Sequence, residues 1–161
     1  MKKRKVNKKK GVRVRGYVIA FFLVIGLVAI YSISSGGSSS ELDKKVKNVN
    51  FPDYATQNPV ILKAYKIAVA EPALLQAIPC YCGCKDVRNY QFPEGHKSLY
   101  NCYLDDSGRF TSHAAYCDIC LNEATESYSM FKKGYSLQEI RKSIDSEYAG
   151  RYGEPTPTPP V

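Results

Sequence analysis

Residues 78–84 read Ile78-Pro79-Cys80-Tyr81-Cys82-Gly83-Cys84, three thiols at alternate positions behind a proline. Pro79 stops any helix that precedes it. In extended backbone, side chains two residues apart point to the same side, so Cys80, Cys82 and Cys84 can converge on one point. Disulfides among the three are disfavoured. Such a bond needs Cα atoms within about 6.8 Å and a dihedral near 90°, which a two-residue separation meets only under strain. Further along stand His96, Cys102, His113, Cys117 and Cys120, so every cysteine and every histidine of the chain falls between positions 80 and 120. Core packing scatters cysteines among other small hydrophobes and gives no reason to collect them with imidazoles.

These eight donors, Cys80, Cys82, Cys84, His96, Cys102, His113, Cys117 and Cys120, are the candidate metal ligands. Their number suits a pair of four-coordinate zinc sites, and closely spaced thiolates equally suit copper(I). A disulfide framework competes, because an even number of cysteines in a small extracytoplasmic domain is the composition of a stapled fold. The histidines favour metal, although each has an ordinary use: His96 follows Gly95 in a turn, and His113 precedes a helix start. A third reading is thiol-disulfide exchange, since Cys117-Asp118-Ile119-Cys120 opens a helix, where the dipole favours thiolate. No β-α-β pattern precedes that motif. Haem attachment is excluded because Leu121, not histidine, follows Cys120.

The flanks read as helices. Asn58 as cap and Pro59 as first helical residue open a helix carrying Val60, Ile61, Leu62, Tyr65, Ile67, Ala68 and Val69, and a short second helix runs from Pro72 to Ile78. On the other side Cys117, Cys120, Leu121, Ala124, Tyr128 and Phe131 recur at helical spacing, with Gly134 as the stop. Ser136 and Glu139 form a capping box ahead of the stripe Leu137, Ile140, Ile144 and Tyr148. These two helices are expected to pair as a hairpin. Between the flanks the chain is irregular, with at most a short strand pair, 100–104 against 109–111, around the turn Asp105-Asp106-Ser107-Gly108. That acidic turn is too short for an EF-hand and lacks the bidentate glutamate of one.

Of the 23 Lys and Arg residues nine lie in the first fifteen positions, leaving 14 basic against 15 acidic residues and a net charge of −1 beyond the arm. A near-neutral domain lacks the phosphate-neutralising surface of a nucleic-acid binder, so no nucleic-acid partner is expected. The arm runs into Tyr17–Ile33, seventeen residues without a charge. At about 1.5 Å per residue such a helix, slightly extended, crosses a core of roughly 30 Å. Cations stay on the cytoplasmic side, which places the domain outside the cell membrane on a single-pass anchor. A cleaved signal peptide is the competitor, with Ser32 and Ser34 as small residues near a cleavage point; the topology is the same. The expected organisation is a basic cytoplasmic arm at 1–16, an anchor at 17–35, a flexible linker at 36–58, a Cys-rich domain at 59–149 and a solvated Pro-rich tail at 150–161.

The run from Pro79 to Cys84 resembles the PCYCGC-motif proteins, small prokaryotic surface proteins often described as lipoproteins. The resemblance continues through Gly95-His96-Lys97-Ser98-Leu99, Cys102, His113, Tyr116–Cys120, Glu123-Ala124, Gly134 and Glu139-Ile140-Arg141, covering roughly residues 59–148. It implies an extracytoplasmic Cys-rich domain and supplies no activity. There is one departure. No cysteine precedes Cys80, so there is no lipobox, and this chain would be anchored by its helix rather than by a lipid. The expected fold class is mostly α: an N-terminal transmembrane helix plus a small helical Cys-rich domain with an irregular ligand-bearing middle. The expected function is soft-metal binding, zinc or copper, without catalysis.

Overall fold

The computed structural model of the protein describes residues 37–161. The basic arm, the apolar run at 17–33 and the expected membrane helix lie outside the described residues. Among the described residues no helix is long and apolar enough to cross a membrane. The rest is mostly helical: α1 (Gly37–Lys45), α2 (Pro59–Ala70), α3 (Pro72–Ala77), α4 (Asp118–Lys132) and α5 (Leu137–Tyr148), with short 3-10 turns between. A compact unit runs from Leu42 to Val161.

Local chemistry explains each boundary. The Asn58 side chain accepts from the N–H groups of Val60 and Ile61, and Pro59 occupies the first turn, where no N–H is needed. Ser136 and Glu139 close a reciprocal capping box at the start of α5. Gly134, at φ 86°, turns the chain between α4 and α5 in the left-handed region that favours glycine. α4 packs against both α2 and α5, so it is the central element. Its buried stripe is Cys120, Leu121, Glu123, Ala124, Ser127 and Tyr128, while Phe131 at the end of the expected stripe is partly exposed. Val60 is exposed too, because the buried face of α2 is Ile61, Ala64, Tyr65, Ile67 and Ala68.

An aromatic group holds the irregular middle to these helices. Tyr65 is fully buried, edge-on to Tyr103 at 5.0 Å between ring centroids, and its hydroxyl donates to the Thr111 carbonyl at 2.6 Å. Such an edge-to-face pair adds about 1 kcal/mol beyond the burial itself. The expected strand pair is reduced to an isolated antiparallel bridge between Leu104 and Phe110, because residues 99–102 wind into a 3-10 turn. The turn itself is well held. Asp105 accepts from the N–H and hydroxyl of Ser107 and from the N–H and Nε of Arg109, between 2.6 and 3.0 Å. Burial would raise its pKa, but these bonds outweigh that and hold the carboxyl below its ordinary range.

Two segments expected to be loose are packed. In the linker expected at 36–58, α1 replaces the flexible run, Leu42 and Val46 are buried one helical turn apart, and Ala55 sits in a 3-10 turn in the core. Ion pairs Lys66–Asp43 and Lys45–Glu71 tie this segment to α2 and its end. The expected solvated tail is also corrected. Residues 153–158 lie along the 80–84 segment: Gly153 N–H donates to the Tyr81 carbonyl at 2.7 Å, and Thr156 N–H donates to the Cys80 carbonyl at 3.1 Å. In return the Cys80 N–H donates to Thr156 Oγ1 at 2.9 Å. Thr158 Oγ1 donates to the Lys97 carbonyl, and Arg141 donates to the carbonyls of Thr158 and Pro159. The physical reason is the Thr-Pro-Thr-Pro alternation. In extended backbone it sets the Thr156 and Thr158 hydroxyls on one side while the prolines keep the chain from folding elsewhere.

Candidate metal centre

The cysteine cluster is assembled from three places. Pro79 ends the α3 segment and the chain from Cys80 to Cys82 runs out of it. Gly83 then takes φ 84°, and Cys84 opens a 3-10 turn instead of continuing the extended run expected for it. This bend returns the Cys84 thiol toward the others. Cys102 closes the 3-10 turn 99–102, and its carbonyl accepts from Thr111 Oγ1 at 2.9 Å. Cys117 is the cap residue of α4 and Cys120 lies in its first turn, with the Cys120 carbonyl accepting from the Tyr103 hydroxyl at 2.7 Å.

The sulfurs form a network, not a set of pairs. Cys102 Sγ lies 3.5 Å from Cys80 Sγ and 3.7 Å from Cys84 Sγ, and Cys80 Sγ lies 3.7 Å from Cys120 Sγ. A disulfide needs about 2.05 Å and one partner for each sulfur, whereas Cys80 and Cys102 have two neighbours each. All six cysteines are free thiols here. Cys82 Sγ is 3.3 Å from His113 Nε2. Three groups of four donors have all their ligand atoms within 4.8 Å of one another: Cys80, Cys82, Cys102 and Cys120; Cys82, His113, Cys117 and Cys120; Cys82, Cys84, Cys102 and His113.

His96 is the one expected ligand outside all three groups. It is buried, with Nδ1 3.5 Å from Cys102 Sγ, its ring edge-on to His113 at 5.0 Å and tilted on Phe92 at 4.2 Å. Burial, and then the neighbouring His113, push its pKa down to about 4, which keeps it neutral. His113 moves the other way, chiefly because Cys82 accepts a hydrogen bond from it. Cys82 itself is driven strongly toward thiolate, first by the neighbouring Cys102 and then by Cys117, Cys120 and Cys80. It is the sulfur on which the cluster is centred. Cys117 shifts up to about 11, because Cys82 and burial outweigh the lowering by Cys120.

One participant was not expected. Glu123 is fully buried one turn beyond Cys120, with Oε1 accepting from the Tyr81 N–H at 2.9 Å. Its Oε2 is buried with no hydrogen-bond partner among the described residues. Desolvation, only partly offset by the Tyr81 N–H, raises its pKa to about 8. The signal was present in the helical period, since position 123 falls on the Cys120–Ala124–Ser127 face; its charged identity hid it. Beside it the Tyr81 hydroxyl donates to Asp145 on α5 at 2.7 Å, fixing the cysteine segment to the hairpin.

The cluster has a buried and an open side. Cys80, Cys84, Cys102 and Cys120 are buried, while Cys82, Cys117 and His113 are half-buried. An ion therefore has an approach at the Cys82–Cys117–His113 edge. No curated protein and no solved structure matches the chain. The family model described as "Protein of unknown function with PCYCGC motif" matches residues 34–161, and the chain belongs to that family.

Proposed function

We propose that the protein binds a soft metal ion, zinc or copper(I), at this Cys/His cluster, and does so on the extracytoplasmic side of a membrane to which its N-terminal apolar segment holds it. The observation that carries the reading is the size of the donor groups. Thiolates bound to a tetrahedral zinc at about 2.3 Å lie roughly 3.8 Å apart, and an imidazole nitrogen at about 2.0 Å lies roughly 3.5 Å from them. Within those groups the S···S separations of 3.5 to 3.7 Å and the Cys82–His113 S···N separation of 3.3 Å are of that size. Binding, storage or delivery of the ion needs no catalytic step. A redox role for Cys117 and Cys120 fits less well, because exchange needs an accessible thiolate and Cys117 is shifted away from that form.

The test is elemental mass spectrometry with a free-thiol count on full-length protein purified without added reductant. Zinc or copper should co-purify, and the cysteines should become titratable only after chelation. Disulfides, no metal and no response to a chelator would replace the reading with a stapled interaction module.

The membrane part of the proposal rests on the charge of the arm and the length of the apolar run. Protease added to intact cells should remove the cysteine domain. A domain protected until the cells are lysed would reverse the assigned orientation.

A further inference from the structure

The three donor groups are not independent. Each contains Cys82, and any two of them share a second residue: Cys120 between the first and second, Cys102 between the first and third, His113 between the second and third. Separate four-coordinate ions would need donor sets with no member in common, and no two of these groups satisfy that. One ion alone is a poor use of the site. In the first group it would leave the buried Cys84 thiol beside a ligand sulfur at 3.7 Å, with Cys117 and His113 converged on nothing.

Donor chemistry decides how the groups can be filled together. A thiolate sulfur carries several lone pairs and can bind two or three soft ions at once. An imidazole nitrogen has a single lone pair in the ring plane and binds one. Cys82, Cys102 and Cys120 can therefore each be shared between ions, whereas His113 must be assigned to one of its two groups.

Resting on the metal-binding reading above, we infer that the centre is a thiolate-bridged cluster of at least two ions, with Cys82 as the sulfur common to all of them. The single lone pair of His113 sets the ceiling. An ion that requires four donors can fill the first group and whichever other group holds His113, which makes two zinc ions. The remaining group then offers three sulfurs. That is a trigonal set, complete for copper(I) as it stands and short of the fourth protein donor that a closed structural zinc site has, so copper(I) can add a third ion. The half-buried Cys82, Cys117 and His113 form the edge through which the later ions enter.

The experiment is anaerobic titration of the reduced, metal-free full-length protein in detergent with zinc(II) and, separately, with copper(I), read by native mass spectrometry. Bridging is read independently in protein loaded with cadmium-113 as the zinc surrogate, because two cadmium nuclei joined by one sulfur show mutual coupling in their NMR spectrum. The expected result is two zinc ions, up to three copper(I) ions, and coupled cadmium signals. C82S should lower the load to one ion or none, whereas C84S should keep the bridged pair. The wild-type stoichiometry decides the matter even where a variant fails to fold. A single ion at saturation, or two cadmium ions without coupling, overturns the cluster and leaves metal binding standing. No bound metal under any condition overturns both.

Discussion

A chain ending at Tyr152 should lose a substantial part of the domain's stability, on the order of 3 to 5 kcal/mol, although it keeps every cysteine and every helix. The removed residues give the Cys80 N–H its acceptor in Thr156 Oγ1, cap the carbonyls of Cys80 and Tyr81 with the N–H groups of Thr156 and Gly153, and reach Lys97 through Thr158. Each such bond contributes about 1 kcal/mol net, and a buried group left without a partner costs about 1 to 3 kcal/mol. Part of that is returned as chain entropy when the tail is released, which is why the expected loss is less than the gross sum. The contact is also close. A Cβ on Gly153 would stand 2.6 Å from the backbone of Gly83, so the tail backbone lies directly on the cysteine segment. T156V isolates one strand of the argument, removing the acceptor of the Cys80 N–H with little change of shape, and should cost about 1 to 3 kcal/mol. Urea denaturation of the three proteins gives the comparison. An unchanged midpoint for the truncated chain would mean that the strap contributes nothing.

The tail also shows where sequence reading stops. Its proline content leaves it few donors, and it forms no helix, yet it is seated on the domain and not solvated as the composition suggests. Its two threonines are what seat it, and their partners are backbone groups of residues 80 and 97, about 60 to 76 positions away, which no local pattern announces. The same holds at the other end. Leu42 and Val46 stand in a polar run too short for a sustained periodicity, yet their i, i+4 spacing buries both. By contrast the capped helices were legible because their signals are local: Asn58 before Pro59, Ser136 with Glu139, and a stripe of Ile140, Ile144 and Tyr148 at helical spacing. The site divides in the same way. That the 80–84 segment meets the start of α4 follows from Pro79 ending one helix and from the inward stripe of another. That Cys82 lies at the centre, His96 to one side and Glu123 within the wall depends on the turn at Gly83 and on burial, and spacing treats all donors as equals.

On the metal-binding proposal, removing the ion should have the largest effect of all, and it should be uneven along the chain. Structural zinc contributes about 10 to 16 kcal/mol to small domains that fold around it, which matches or exceeds the 5 to 15 kcal/mol total of an ordinary domain. Without an ion, the segment from Cys80 to Leu104 keeps the tail strap, the Tyr81 bonds to Glu123 and Asp145, the Tyr65–Tyr103 contact, the Tyr103 bond to Cys120 and the Asp105 turn. Between these anchors the backbone bonds of residues 84–96 run within that stretch itself. The helical hairpin is not independent of the cluster, because α4 starts at Cys117 and carries Cys120 and the buried Glu123 in its first two turns. The first half of α4 is therefore expected to loosen with the middle segment, while its second half and α5 persist through Tyr128, Ile140 and Ile144. Hydrogen exchange read by mass spectrometry, on protein before and after chelation under reducing conditions, maps this directly. Protection should fall by orders of magnitude over residues 80–104 and 113–123 and change little over 137–148. Equal exchange in both states would show that the cluster folds without an ion, and uniform loss everywhere would show that α5 has no stability of its own.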